Sequence, residues 1–149
     1  LSSSVGVGVL MKQAFLVFAL LTFSGASLAS ERVVVVANIA QSSVTLTKSQ
    51  VRDLFMSGAS PELLSLTPVS IAPGEQSRTI FNTRVIGLPE SRIQAYWAQM
   101  RFSGRLTPPK EVESAEQMLD YLRANEGSVG YLPESTQLPE GLKVVYTTR

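Results

Sequence analysis

Two residue types are missing altogether: the 149 residues of this sequence include no cysteine and no histidine. Without cysteine the chain can form no disulfide and can carry no lipid-modified N-terminal cysteine. Without histidine it lacks the usual general base and the commonest ligand for transition metals. Hydrolytic triads and zinc chemistry are therefore excluded, and we expect no metal and no other cofactor.

The sequence also lacks an excess of charge of either sign. It has 13 lysine and arginine residues against 12 aspartate and glutamate residues. The N-terminal region 1–29 holds one of the lysines and no acid, so the remainder is neutral. Nucleic-acid binding depends on basic side chains that neutralise phosphates, and we therefore expect no nucleic-acid partner.

Long apolar runs are absent after residue 29, but one stands before it. Lys12 gives a basic start, and residues 14–23 form an apolar stretch. Small residues follow, and Ser27 with Ala29 fits the cleavage pattern of a signal peptidase. This order is typical of a secretory leader.

We interpret residues 1–29 as that leader, with an upstream extension over 1–10 and a cleavable signal peptide over 11–29. Residues 30–149 then form one domain, and the periplasm is its expected location. The alternative is an uncleaved anchor, because residues 5–23 are long enough to span a membrane, although charge interrupts them.

Spacing of apolar residues after the leader predicts alternating strands and helices. Thr47 and Gln50 form a capping box at the first helix start, and Ser114 with Gln117 is placed to do the same at the last. The predicted elements are strand 33–38, helix 48–57, strand 66–72, helix 76–86, helix 89–100, a helix from 115 to about 124, strand 128–132 and strand 142–146. This order indicates an α/β layered sandwich with a mixed, mainly parallel sheet and helices on its faces.

The third predicted helix carries Ile93, Tyr96, Trp97 and Met100 at i, i+3, i+4 and i+7. Such a stripe is most simply a core face that packs on the sheet. The other interpretation is that its aromatics, with Phe102 and nearby arginines, form a surface that contacts a partner.

The candidate site is the turn between the second strand and the second helix. Gly74 precedes a helix start at which backbone N–H groups and the helix dipole favour an anion. Ser77 adds a hydroxyl, and Arg78 adds a forked cation. We therefore predict a ligand site at Gly74, Glu75, Gln76, Ser77 and Arg78.

Glu75 decides how this site behaves. Its carboxylate either repels an incoming anion or accepts hydrogen bonds from the same N–H groups. The alternative is that this is an ordinary helix start that binds no ligand, since acidic residues are common in the first turn of such helices.

Four segments of the chain, in this order, resemble phosphate-type periplasmic substrate-binding proteins of ABC importers. They are Leu46–Gly58, Pro73-Gly74 with Arg78 and Phe81, Tyr96-Trp97 with Phe102–Gly104 and Pro108-Pro109, and Gly127–Tyr131. Together they reach across nearly all of the chain after the leader.

The resemblance implies one lobe of a fold that has two lobes in full members of the family. It also implies a small oxyanion such as phosphate as ligand. Gly74 matches the turn glycine, and Ser77 stands where the family has threonine. Glu75 replaces a serine, Gln76 replaces a glycine, and the loop arginine of the family falls at Ile71.

These observations predict an exported, non-enzymatic, solute-binding-like domain that binds a small anion. A membrane transporter or a sensor protein is the expected protein partner. The alternative is a ligand-free interaction or sensory module derived from the same fold. An enzyme is disfavoured because no spacing singles out a catalytic pair among the candidate carboxylates, which are Asp53, Glu62, Glu75, Glu111 and Glu113.

Overall fold

The computed structural model describes residues 31–149, so the predicted leader lies outside the described residues. The elements are β1 (Val33–Asn38), α1 (Lys48–Ser57), β2 (Thr67–Ile71), α2 (Gln76–Phe81), α3 (Glu90–Phe102), β3 (Lys110–Val112), α4 (Ala115–Ala124), β4 (Ser128–Pro133) and β5 (Leu142–Thr147). Residues Asn82–Ile86 continue α2 as a π-helical turn. Of the helices in this range, none combines the length and the apolar character needed to cross a bilayer.

The five strands form one sheet in the order β3-β2-β4-β1-β5. β2 is parallel to both of its neighbours, whereas β1 is antiparallel to both of its own. Four strands therefore share one direction and β1 opposes them. This confirms the predicted α/β class with a mixed, mainly parallel sheet.

β1 is buried along nearly its whole length, as its run of valines indicates. All residues from Val33 to Ala37 are buried, so both faces of the strand are covered. Such continuous apolar runs are typical of parallel strands, yet β1 pairs antiparallel on both sides. The pattern reports burial on two faces, and it carries no information about direction.

Both predicted helix caps are present. Gln50 N donates to Thr47 Oγ1 at 3.1 Å and Thr47 N donates to Gln50 Oε1 at 2.8 Å, which completes the reciprocal box at α1. At α4, Gln117 N donates to Ser114 Oγ at 3.2 Å. The Gln117 side chain instead accepts from Glu113 N, one residue before the cap.

The prediction missed strand β3. Lys110–Val112 pairs parallel with Val69–Ile71 of β2 and forms one edge of the sheet. Three residues at an edge are too few to show a period-two pattern, so no sequence signal separated them from the proline-containing loop before them. The third helix also runs two residues further than predicted, to Phe102.

An aromatic cluster joins α1 and α2 to the sheet. The ring of Phe81 stacks on Tyr131 of β4 with centroids 4.1 Å apart and meets the edge of Phe55 at 4.8 Å. Ile93 and Trp97 of α3 are buried as well, which confirms the core interpretation for this pair. Tyr96 and Met100 at the stripe's margin are half-buried.

Replacing Trp97 by alanine should lower the free energy of unfolding by about 3–5 kcal/mol, because the indole is only 7% exposed. Phe102 on the same helix is 97% exposed, so Phe102→Ala is the matched control and should change stability by less than about 0.5 kcal/mol. Chemical denaturation measures both. Equal, small losses in the two variants would place Trp97 outside the core.

Candidate functional site

The turn before α2 has the backbone geometry of an open helix start. Gly74 has φ of +103°, a conformation that residues with a side chain rarely adopt. The first helical hydrogen bond runs from Thr79 N to Glu75 O at 3.2 Å. The preceding N–H groups of Gln76, Ser77 and Arg78 donate to no acceptor within residues 31–149.

Glu75 occupies the cap position of α2, but its carboxylate does not cap the helix. The side chain is exposed and makes no capping hydrogen bond. Of the two roles expected for this residue, self-occupation of the N–H groups is therefore not seen. Repulsion of an approaching anion is the role that its position still allows.

Of the five predicted site residues, Ser77 and Arg78 are buried, at 8% and 5% exposure, whereas Gly74, Glu75 and Gln76 are exposed. Arg78 differs from the other four because it carries a charge into the interior. Its guanidinium forms a two-point ion pair with Glu90, the first residue of α3. Arg78 Nε lies 2.5 Å from Glu90 Oε1, and Arg78 Nη2 lies 2.8 Å from Glu90 Oε2. Planar, two-point pairing of this kind is the strong form of an arginine–carboxylate contact.

The remaining guanidinium nitrogen ties α2 to the sheet. Arg78 Nη1 donates to the Ile71 carbonyl at 3.0 Å, and it lies 3.3 Å from both Ser70 Oγ of β2 and Glu111 Oε1 of β3. Ser70 Oγ in turn lies 2.8 Å from the buried hydroxyl of Tyr131. One arginine thus links α2, α3, β2 and β3.

Protonation states follow from these contacts. Burial alone would lower the pKa of Arg78, but the hydrogen bond with Glu90 and the nearby charges raise it, so the guanidinium stays charged. The hydrogen bond from Arg78 lowers the pKa of Glu90 against the opposing effect of burial. Burial raises the pKa of Tyr131, which keeps its hydroxyl protonated.

The five predicted residues therefore separate into two groups. Residues 74–77 form the turn and the open helix start, whereas the buried Arg78 side chain pairs with the half-buried carboxylate of Glu90 and the exposed carboxylate of Glu111. Sequence reasoning missed Glu90, Glu111 and Ser70 as the partners of this arginine. A signal was available: Arg78 shares the inward face of its helix with Phe81, and a charge on an apolar face needs a partner.

A small cleft opens beside this network, between α2, α3 and the chain leading into β3. Its enclosed part measures about 50 Å³. Its walls combine apolar side chains and polar ones, namely Phe55, Met56, Ser70, Arg78, Phe81, Asn82, Ile86, Ile93, Gln94, Trp97, Arg101, Pro108, Pro109 and Glu111. The outer part is a groove that shares Gln94, Arg101 and Glu111 with the inner part.

Histidine and cysteine are absent from the sequence, so aspartate and glutamate are the side chains that could bind a metal ion. Across residues 31–149 no three of them are grouped in a way that would hold a metal ion.

No protein-family model matches the sequence, and no curated protein matches it either. The fold, however, is similar to two solved structures. An ABC-type phosphate transport receptor from Vibrio cholerae superposes with a TM-score of 0.58 and 15% identity, over 77% of this chain and 45% of that one. A Clostridium perfringens protein described as a phosphate ABC transporter substrate-binding protein with bound phosphate gives 0.56 and 15%, over 77% and 44%.

These likenesses show the fold, and they confirm the resemblance stated from the sequence as a likeness of fold. The described domain has the fold of one lobe of a periplasmic-binding-protein-like architecture. The chain spans less than half the length of either solved protein.

Replacing Glu90 by glutamine should lower the free energy of unfolding by about 2–3 kcal/mol near neutral pH, because the buried Arg78 loses its main counter-charge. Glu62→Gln, an exposed loop variant, is the control and should be close to neutral. Denaturant unfolding at matched pH values measures both.

The ion pair of Arg78 and Glu90 also predicts that the free energy of unfolding depends on pH. The pKa of Glu90 in the folded protein lies below its ordinary value of 4.5. The stabilisation that the ionised Glu90 carboxylate gives the folded state is therefore complete above pH 4.5. The contribution is lost as the pH falls through the lowered folded pKa. The difference in the free energy of unfolding between the parent protein and Glu90→Gln should therefore become smaller as the pH falls into the acid range. A gap that stays constant down to about pH 2 would contradict the lowered pKa.

Proposed function

We propose that this chain is an exported, non-enzymatic solute-binding-like domain whose ligand is a small oxyanion such as phosphate. The observation that carries the proposal is the fold, which is similar over 77% of the chain to one part of two phosphate-binding transport receptors. The ligand site is the turn at residues 74–78.

The local geometry supports this position. Three consecutive N–H groups at the start of α2 have no acceptor in the described part of the chain. Oxyanions bind such groups through hydrogen bonds and through the positive end of the helix dipole. Ser77 adds a hydroxyl at the same turn, and Gly74 allows the turn its left-handed backbone.

The charges near the turn indicate that binding is weak. Arg78 is already paired with Glu90 and Glu111, so its charge is largely neutralised before any ligand arrives. Glu75 places an unpaired carboxylate beside the open N–H groups. An incoming phosphate would therefore gain backbone hydrogen bonds and meet a repulsive charge.

We infer that the protein partner of this domain is a membrane transporter or a sensor protein, either of which fits the expected periplasmic location. If the domain binds no small anion, the interaction or sensory module derived from the same fold becomes the better account.

Replacing Glu75 by serine should strengthen phosphate binding. The parent is expected to bind phosphate weakly or undetectably, and the variant should gain on the order of tenfold to a hundredfold, as for one charge-assisted contact. Calorimetric titration with phosphate, sulfate and a small carboxylate measures this. Glu62→Ser removes a charge elsewhere and is the control.

Adding Gly74→Ala to Glu75→Ser should abolish the gain, because alanine is strained at the positive φ of this turn. Tight phosphate binding by the parent would refute the role of Glu75. No gain in Glu75→Ser would indicate that the turn alone does not form the site.

Export predicts a specific N-terminus. Protein recovered from the periplasm should begin at or near Ser30, as N-terminal sequencing would show, because Ser27 and Ala29 are the small residues that the peptidase needs. A sequence that begins at Met11 or Lys12 would indicate a retained anchor instead.

A further inference from the structure

We propose that the cleft between α2, α3 and β3 is a second binding site, for a small zwitterion that carries one primary ammonium group and one carboxylate. This cleft is distinct from the open helix start of α2, so the proposal does not depend on oxyanion binding there. It follows from the polar groups that line the cleft and still lack a partner.

Three side-chain oxygens of residues that line the inner cleft accept no hydrogen bond from residues 31–149. Glu90 is a carboxylate that only accepts, so Asn82 and Gln94 must present their NH₂ groups to it, at 3.1 and 2.9 Å. Their amide oxygens are thereby left as the groups without a hydrogen bond in residues 31–149. Glu111 uses Oε1 for Arg78, and its Oε2 has no partner in the same range.

Three unpaired oxygens match the chemistry of a primary ammonium group, which has three N–H donors and no acceptor. Two arginines line the inner cleft, and the more deeply placed of them, Arg78, is not free to donate to these three oxygens. Arg78 already donates to Glu90, Glu111, Ser70 and the Ile71 carbonyl. The enclosed volume of about 50 Å³ has room for a group of a few heavy atoms, but most of a larger ligand must lie in the outer groove.

Arg101 supplies the opposite charge. It lines both the inner cleft and the outer groove, and within the described part of the chain its guanidinium makes no ion pair or hydrogen bond. Arginine pairs with carboxylates through two parallel hydrogen bonds. A ligand with its ammonium near Glu111 therefore presents its carboxylate to Arg101.

The balance of charge favours a zwitterion over a simple anion. Two arginines, Arg78 and Arg101, and two carboxylates, Glu90 and Glu111, lie around the cleft, and both carboxylates contact Arg78, so there is no excess of positive charge. A neutral ligand with separated charges satisfies both ends. The indole of Trp97 and the rings of Pro108 and Pro109 provide apolar walls for the carbon chain between them.

Calorimetry with glycine, β-alanine and γ-aminobutyrate tests the proposal, because these probes set the two charges at increasing separation. At least one should bind with a dissociation constant below about 1 mM. N-acetylglycine, which lacks the ammonium group, should bind at least about tenfold more weakly than glycine or not at all.

Two variants should each weaken the best probe by roughly tenfold to a hundredfold, the loss of one charge-assisted contact. They are Glu111→Gln and Arg101→Gln. Their matched controls are Glu113→Gln, near the end of the same segment, and Arg92→Gln, on the same helix α3; both controls are exposed and line no part of the cleft.

The Arg101 guanidinium has no partner among residues 31–149, so Arg101→Gln should keep the melting temperature of the parent and remains informative if Glu111→Gln unfolds. Absence of binding by all three probes would overturn the proposal. So would equal binding of N-acetylglycine, or an affinity that survives Arg101→Gln unchanged. None of these outcomes depends on whether phosphate binds at residues 74–78.

Discussion

The guanidinium of Arg78 lies almost entirely out of solvent, and a charge in that position must be compensated by opposite charge and by hydrogen bonds. The protein meets this requirement with elements that are distant in sequence. Glu90 comes from the first turn of α3 and Glu111 from the edge strand β3. The carbonyl of Ile71 at the end of β2 completes the set. The positions of α3 and β3 relative to α2 are thus tied to one side chain.

This constraint also shapes what the domain can bind. A free arginine behind an open helix start would attract oxyanions strongly, but here the arginine is already paired. Within residues 31–149, the groups left without partners are of a different kind: backbone N–H groups at the start of α2, and oxygen acceptors in the neighbouring cleft. The described domain is similar in fold to two proteins of phosphate transport, and in it the buried arginine is held by the carboxylates of Glu90 and Glu111.

Much of the fold could be predicted because its signals are local. The box of Thr47 and Gln50 and the valine run of β1 each depend on a few neighbouring residues, and both appear in the structure. The edge strand β3 was missed because three residues carry no periodicity. The direction of β1 was not accessible either, since a strand buried on both faces reads the same in parallel and antiparallel sheets.

The candidate site was predicted less completely, for a different reason. The turn at Gly74 and the helix start after it are visible in sequence, and the structure contains both. The partners of Arg78 lie 12 and 33 residues further along the chain, and no local spacing links them to it. The one available signal was that Arg78 lies on the same inward face of its helix as Phe81, which indicates a structural cation rather than one that is free to bind a ligand.

A double-mutant cycle between Arg78 and Glu90 tests the central claim most directly. Unfolding free energies would be measured for the parent, Arg78→Met, Glu90→Gln and the double variant, with the exposed pair Arg52 and Asp53, 4.0 Å apart, as the control cycle. We expect a coupling of about 2–3 kcal/mol for Arg78 and Glu90 and below about 0.5 kcal/mol for the control. A coupling near zero for Arg78 and Glu90 would contradict the account, because the pair would then not hold α2 and α3 together.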